Sequence, residues 1–506
     1  MKKPNLLFIY TDEQRYNTMR AYGNTTIDMP NLNRFSETAT VCDRAYVTQP
    51  VCTPSRASLL SGLTPHSCDM PQNNLILPDE VQCLPEMLDD RDYVCAHHGK
   101  WHLGDEIYPQ HGFGRWRATE DSYHAFYRRH RDQSDRSPFH DFLMAHGQEP
   151  ESPPGNLPPE IGYRFFRDQI GRLPEELSRP KFLSDGASRF IRENRDNPFV
   201  LYVNFLEPHM PFFSARDDQY SPDQVTLPDN FGDNLDENAP RRLRRTAEKY
   251  KNGGYGIDKP LATEEQWRRL IARYWGMCSL VDTHVGKILD ALTECGLDDN
   301  TVVVFTSDHG DMMSSHNLLG KGYMFEESTR VPLLVRLPGQ KKQNHISGPL
   351  SQLDLVPTLL ESMGKEAPSH LEGESRLQWF ENGHGDTTGD VFIEWHGEGV
   401  GRQPEPYIPG ITENAPKSKK TIDPVNAESI RTVVTDDLWK LNVSSIGDHE
   451  LYNLNTDPGE CSNIISDVQH RERVTDMISR IESWQKKTND TADWISTDSV
   501  FSRPIE

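Results

Sequence analysis

Positive charge is in short supply along this chain. Its 506 residues carry 54 lysines and arginines against 77 aspartates and glutamates, a formal net charge of -23. Such a surface repels nucleic acid and anionic lipid at long range, so neither a nucleic acid nor a membrane partner is expected. An anionic substrate would need a local positive pocket. Cysteine is scarce as well. The eight cysteines stand at 42, 52, 68, 83, 95, 278, 295 and 461, and none forms a CxxC pair. That spacing argues against a structural zinc site. The even count permits disulfides without arguing for them. No stretch approaches the roughly 18 consecutive apolar residues of a membrane span. No internal repeat is present. The opening MKKPNLLFIYTDEQ has two lysines and a short apolar run, but Pro4 and the polar TDEQR cut that run short. No small-residue cleavage site follows, so it reads as a first strand and not as a leader. A cytoplasmic location is the expectation if the chain is complete, and a periplasmic or secreted one if a leader has been removed.

What the chain does contain is a set of apolar runs that end in reactive residues. Asn5–Thr11 runs into Asp12, Asp92–Ala96 into HHGKWHLG, Pro198–Phe205 into LEPHMPF and Thr301–Thr306 into SDHGD. A fifth run is Val331–Arg336. Near-continuous apolar runs of this length suit a sheet covered on both faces. Helical patterns lie between them. TEEQ at Thr263 resembles a capping box, and the periodic stretch behind it runs to Cys295. Asp354–Met363 reads as a shorter helix. Strands alternating with helices predict an α/β sandwich, with ligands gathered beyond the carboxyl ends of the strands. The stretch from Gln110 to Leu261 is rich in Arg, Asp, Pro and Gly, as in SRPKFLSDG, and reads as long surface excursions. Past Pro368 the texture changes. VFIEWHG (391–397) and SIRTVVTDDLWKLNV (429–443) predict strands, and a last helix is expected near 468–485. The reading is a catalytic α/β domain over 1–375 and a smaller α+β subdomain over 376–506, with the boundary at roughly 365–385.

The chemistry gathers at the strand ends. Asp12 and Glu13 close the first strand; Asp308, His309 and Asp311 close a later one. Carboxylates brought together by neighbouring strands repel one another, and a hard divalent cation relieves that repulsion. Oxygen ligands with one imidazole suit calcium, magnesium or manganese better than zinc. Lys100 and His102 stand two residues apart and point the same way if the backbone is extended. His97 and His98 fit either packing or support of the site. His209 sits between two prolines, and Lys321 sits between two glycines. With Arg56 these residues make a pocket for a small tetrahedral oxyanion. Cys52 opens VCTPSRASLLSG, ahead of a helix expected near Ser55. A thiolate is a good nucleophile, yet a hard cation prefers oxygen, so the residues alone do not say which atom attacks.

Cys52-Thr53-Pro54-Ser55-Arg56 resembles the C-x-P-S-R signature of the type I, formylglycine-dependent sulfatases. Asp12, GKWHLG, Pro208-His209, SDHGD, GKG and ELYNLNTDPGE (450–460) resemble further segments of that family, in order along nearly the whole chain. The resemblance implies an alkaline phosphatase-like α/β fold: a large central, mostly parallel but mixed sheet flanked by helices, plus a smaller C-terminal antiparallel sheet with a helix. It implies a sulfuric ester hydrolase. A maturation enzyme would oxidise Cys52 to Cα-formylglycine, whose hydrate supplies the oxygen nucleophile held by Arg56. Asp12, Glu13, residue 52, Asp308 and His309 would bind one divalent cation, usually calcium, with manganese or magnesium open. Lys100 and Lys321 would neutralise the ester oxygens, His209 with Lys321 would protonate the leaving alcohol, and His102 would take a proton as sulfate departs.

Two positions depart from the pattern: Glu13 stands where a second aspartate is usual, and His309 where asparagine is frequent. Histidine there also occurs in relatives acting on phosphonate or phosphate esters. A phosphonate monoester or phosphodiester hydrolase is therefore the alternative, and a binding protein that never receives the modification is a third reading. The expected substrate is a sulfated sugar or a small aryl or alkyl sulfate. Trp395, His396 and Arg402 are candidates for the cleft rim, and homo-oligomerisation stays open.

Overall fold

The computed structural model describes residues 2–148, 173–233, 235, 239–253, 260–383, 389–406, 422–496 and 500–501. Its centre is β1 (Asn5–Asp12), buried at every position. It lies parallel between β5 (Phe199–Pro208) and β6 (Thr301–Ser307), with Leu6 level with Val200 on one side and Val302 on the other. Beyond β5 come β3 (Val94–Gly99) and the edge strand β4 (Arg115–Arg117), both parallel. Beyond β6 the sheet turns mixed. β8 (Leu333–Arg336) pairs antiparallel with β6, and β2 (Thr40–Tyr46) follows it. β2 also pairs with β7 (Arg330–Val331) and, in parallel, with β9 (Asn344–Ser351). The nine-stranded sheet thus has the expected mostly parallel, mixed character.

Several boundaries move. The run expected over Asp92–Ala96 begins at Val94 and continues to Gly99, because Asp90–Tyr93 forms a turn closed by Tyr93 N–H on the Asp90 carbonyl (3.1 Å). The Val331–Arg336 run is two strands, split at Pro332, which has no N–H for the ladder. The capping box is as read: Thr263 and Gln266 cap a 31-residue helix, Glu264–Glu294. SRPKFLSDG is not a surface excursion. Ser178 accepts from Lys181 N–H and starts the helix Arg179–Glu193, whose Phe182, Leu183, Phe190 and Ile191 are buried. A second helix, Arg241–Asn252, stands in the same stretch. Residues 149–172, 234, 236–238 and 254–259 of it lie outside the described residues. Among the described residues no helix is long and apolar enough to cross a membrane.

The C-terminal strands β10 (Val391–Trp395), β11 (Ile430–Val434), β12 (Trp439–Ser444) and β13 (Glu450–Asn453) form an antiparallel sheet in that order. The single run expected over 429–443 is therefore a hairpin. The helix Arg471–Thr488 covers this sheet, setting Val474, Met477 and Ile478 against Val433, Leu441 and Leu451.

The two sheets are joined by buried charge. Lys440 on β12, fully buried, lies 3.2 Å from Glu326 Oε1 and 2.9 Å from Glu460 Oε1. Glu460, the last residue of ELYNLNTDPGE, also accepts from the Glu326 backbone N–H (2.6 Å), and Tyr46 on β2 donates to Glu326 Oε2 (3.0 Å). Removing one partner of such a set strands the others without compensation. Lys440→Met is expected to destabilise the protein by about 3–5 kcal/mol, read from the urea midpoint at unchanged m-value. A loss under about 1 kcal/mol would show that the pair is dispensable.

Candidate active site

Because β3, β5, β1 and β6 run parallel, their carboxyl ends meet on one edge of the sheet. Thr11 pairs with Ser307, so Asp12 and Asp308 emerge side by side, and the Asp308 N–H donates to the Thr11 carbonyl (3.0 Å). β3 ends at Gly99, with φ +104° and a position where a Cβ would sit 1.8 Å from the Asn204 carbonyl oxygen. Only glycine fits there, and that close approach delivers Lys100 to Asp12. His209 follows β5.

The helix over Cys52–Ser61 begins at Cys52, three residues earlier than expected, and all ten of its residues are buried. Residue 52 is therefore the first helical position, with Val51 as the N-cap. One turn later Arg56, wholly buried, fastens the helix to the strand ends. Its Nη2 donates to Asp12 Oδ2 (2.7 Å) and its Nε to Asp308 Oδ2 (2.9 Å). Its Nη1 donates to the Lys100 carbonyl and to Asn204 Oδ1 (both 2.8 Å). Lys100 Nζ reaches the same Asp12 oxygen at 2.6 Å.

The remaining oxygens face inward. Asp12 Oδ1 and Asp308 Oδ1 each lie 3.6 Å from His309 Nε2, and Cys52 Sγ lies 3.3 Å from that nitrogen and 3.7 Å from Asp12 Oδ1. His309 Nδ1 sits 2.9 Å from the Gly310 carbonyl, which fixes the proton on Nδ1 and leaves Nε2 with its lone pair. Asp12, Cys52, Asp308 and His309 thus offer four ligand atoms within 4.8 Å of one another. Two carboxylates, a bare imidazole nitrogen and residue 52 on one buried point suit a divalent cation. Glu13 turns elsewhere. Its backbone is left-handed (φ +71°), and its carboxylate lies 3.1 Å from Lys321 Nζ and 3.5 Å from His209 Nε2. With Asp12 and His209 it makes a second, overlapping group. Asp311 holds a loop instead, accepting from Met313 N–H (2.6 Å) and Gly320 N–H (3.0 Å).

Burial sets the protonation states. It pushes the Asp12 carboxyl up, but Lys100, His209, Arg56 and Lys321 outweigh it and hold the group well below its ordinary range. Burial pushes Glu13 up to about 8. Burial, then Asp12, pushes the Cys52 thiol up to about 11, so the unmodified side chain is a protonated, sluggish nucleophile. His102 and His209 are both driven well below the usual histidine range, His102 by burial and Lys100, His209 by burial and Lys321.

His209 Nδ1 is 2.6 Å from the Met210 carbonyl, which leaves Nε2 as the ring atom facing the site. Lys321 Nζ lies 3.1 Å from Cys52 Sγ. Its flanking glycines have φ of +79° and +86°, and a Cβ at Gly322 would meet the Trp395 ring at 3.0 Å. Trp395 is therefore a floor beneath the GKG turn and not a rim residue. His396 pairs with Glu394 (2.5 Å), and Arg402 with Asp69 (2.9 Å). Lys100 and His102 do not share an extended backbone: the strand has ended, and His102 has φ +58°. His97 stacks on Trp116 (4.8 Å, 28°) and His98 packs edge-on to Phe190, so both belong to packing. Asn74 and Tyr123, which no motif marked, contact His102: Asn74 Oδ1 is 2.7 Å from Nε2, and the Tyr123 ring stacks at 4.1 Å and 26°.

A fold and a strand-end site of this kind define a family. Residues 4–365 match the sulfatase family. The chain belongs to it and is a sulfuric ester hydrolase of alkaline phosphatase-like architecture. It is 26% identical over 497 residues to the uncharacterized sulfatase YidJ of Escherichia coli (strain K12), covering 97% of this chain and 88% of that protein. It is 24% identical over 543 residues to the N-acetylglucosamine-6-O-sulfatase of Bacteroides thetaiotaomicron, covering 97% and 87%. The phosphonate monoester hydrolase of Silicibacter pomeroyi superposes with a TM-score of 0.77 over 96% of both chains at 19% identity, a likeness of fold.

Proposed function

We propose that this sulfatase cleaves the sulfate monoester of a carbohydrate, using formylglycine formed from Cys52 together with one divalent cation, calcium by family resemblance. The observation that carries the reading is the position of residue 52. It opens a buried helix, with its side-chain tip 3.1 Å from Lys321 Nζ, 3.3 Å from His309 Nε2 and 3.7 Å from Asp12 Oδ1. Asp12, Asp308, His309 and residue 52 would hold the cation, with Glu13 at the edge of that set. The cation and the hydrated aldehyde would together supply a charge-stabilised oxygen nucleophile, which a thiol raised to about 11 does not provide.

The chain's own groups do the rest. Lys100 and Lys321 flank residue 52 and hold the ester's oxygens as negative charge shifts onto them. Arg56 keeps Asp12 and Asp308 in register. His209, anchored through Nδ1, presents Nε2 to the leaving oxygen with Lys321 beside it. An imidazolium with a depressed pKa is a strong proton donor, and an arriving anion favours its formation. His102 accepts a proton as sulfate is released. With Glu13 uncharged below about pH 8, Arg56, Lys100 and Lys321 exceed Asp12 and Asp308 by one charge before any cation binds. That sign suits a monoanionic ester and supplies the positive pocket that the acidic surface lacks. A carbohydrate alcohol is supported by the named activity of the Bacteroides relative.

His309 among the candidate ligands favours a second reading, a phosphonate monoester or phosphodiester hydrolase on the same machinery. The two separate in one kinetic comparison of para-nitrophenyl sulfate, a phenylphosphonate monoester and a phosphodiester analogue. The expected result is the highest kcat/KM on the sulfate. A phosphonate turned over faster by orders of magnitude would reverse the assignment.

A further inference from the structure

Resting on the role of His102 proposed above, we infer that Asn74 is a positioning residue that fixes the His102 ring, with Tyr123, in the one tautomer whose Nδ1 can accept a proton. Three contacts hold the backbone of His102. Its N–H donates to Glu106 Oε2 (2.6 Å), and its carbonyl accepts from the Thr53 hydroxyl (2.8 Å). That hydroxyl also accepts from the Asn74 N–H (3.1 Å), and Thr53 N–H donates to Asn73 Oδ1 (2.9 Å). The loop carrying Asn74 is thereby tied to the residue next to Cys52, and His102 is tied to the same hydroxyl.

The ring is then held from two directions. Asn74 Oδ1 stands 2.7 Å from Nε2, and an amide oxygen only accepts, so Nε2 carries the hydrogen. A neutral imidazole protonated on Nε2 has its lone pair on Nδ1. Nδ1 is buried and has no hydrogen-bond partner among the described residues. Tyr123 stacks over the ring and blocks a flip, and it also lies 5.7 Å from Lys100 Nζ, so one aromatic ring braces both residues of the GKWH segment. In the second half of the cycle, after the alcohol has left, Nδ1 takes the proton shed as sulfate is released and passes it to solvent. Without Asn74 the ring can adopt the other tautomer, and Nδ1 then carries a hydrogen where a lone pair is needed.

The test is rapid-quench kinetics of para-nitrophenyl sulfate on the full-length, modified, metal-loaded enzyme. Asn74→Ala is expected to lower kcat about 10- to 100-fold while the first equivalent of para-nitrophenol is released at the wild-type rate, as a burst. Its kcat should be equal for good and poor leaving groups, matching His102→Ala in pattern but smaller in size. Asn74→Asp, whose carboxylate also accepts from Nε2–H, should restore most of the rate. Tyr123→Leu, which leaves Asn74 in place, should show the same burst with a milder loss. The proposal is overturned if Asn74→Ala slows the first turnover equally, acts only on KM, or is not rescued by aspartate. A wild-type enzyme active on sulfate esters with Asn74→Ala equal to it overturns the proposal alone. A wild type with no sulfate-ester turnover overturns the underlying reading and the proposal with it.

Discussion

Cys52→Ala is expected to fold normally and to lose more than about ten-thousand-fold in kcat on every sulfate ester. Position 52 is the first residue of a helix, where alanine is well tolerated. The deleted sulfur makes no contact that holds the fold, so the loss of stability should stay under about 2 kcal/mol. The loss of activity has a different scale because no other side chain at the site can replace the nucleophile. Lys321 is held strongly protonated by Cys52, Glu13 and Asp12 against the effect of burial. The wild-type peptide spanning Cys52, from a host able to modify it, should weigh about 18 Da less than the unmodified sequence, the difference between a thiomethyl group and an aldehyde. Full activity from wild-type protein whose Cys52 peptide shows the unshifted mass would sink the formylglycine assignment, as would an active alanine variant.

His209→Ala should lose activity according to the alcohol it must release. General acid catalysis contributes about a hundred- to ten-thousand-fold, and it matters only where the leaving oxygen needs a proton. Sugar and alkyl alcohols do, whereas para-nitrophenolate leaves unaided. The expected outcome is a fall of that size on a sulfated sugar and less than about tenfold on para-nitrophenyl sulfate. The geometry supports this asymmetry. His209 Nε2 stands 4.0 Å from Asp12 Oδ1 and 3.5 Å from Glu13 Oε2, beside the nucleophile's surroundings and on the same side as Lys321. Equal losses on both substrates would show that His209 binds the ester and does not protonate it.

The parts of the site that could be read in the sequence are those carried by one strand and the turn after it. Asp12, Lys100, His209 and Asp308 each follow an apolar run, and a parallel sheet puts such ends together, so their convergence is a consequence of topology. The contacts between separate loops left no such trace. Asn74 meets His102 across 28 positions, and Tyr123 meets it across 21, with no periodicity to mark either. β2 and β9 were hidden for another reason: each interrupts its apolar residues with polar ones, as in TVCDRAY and NHISGPLS. The helix Arg179–Glu193 was obscured by composition. Its proline, glycine and charges suggested a loop, yet Phe182, Leu183, Phe190 and Ile191 lie on one buried face. Glu13 is legible as an acid at the right place, but its left-handed backbone, which turns it to Lys321, belongs to the fold and not to the text.

Trp395 belongs to the C-terminal sheet, yet its ring underlies Gly322, one residue from Lys321. Lys440 from the same sheet neutralises Glu326, just beyond that turn. A chain cut near residue 370 would keep every side chain placed at the catalytic centre and still lose the base on which Lys321 rests. The C-terminal quarter is in this sense a buttress, and its removal would disable the enzyme without touching a single reactive atom.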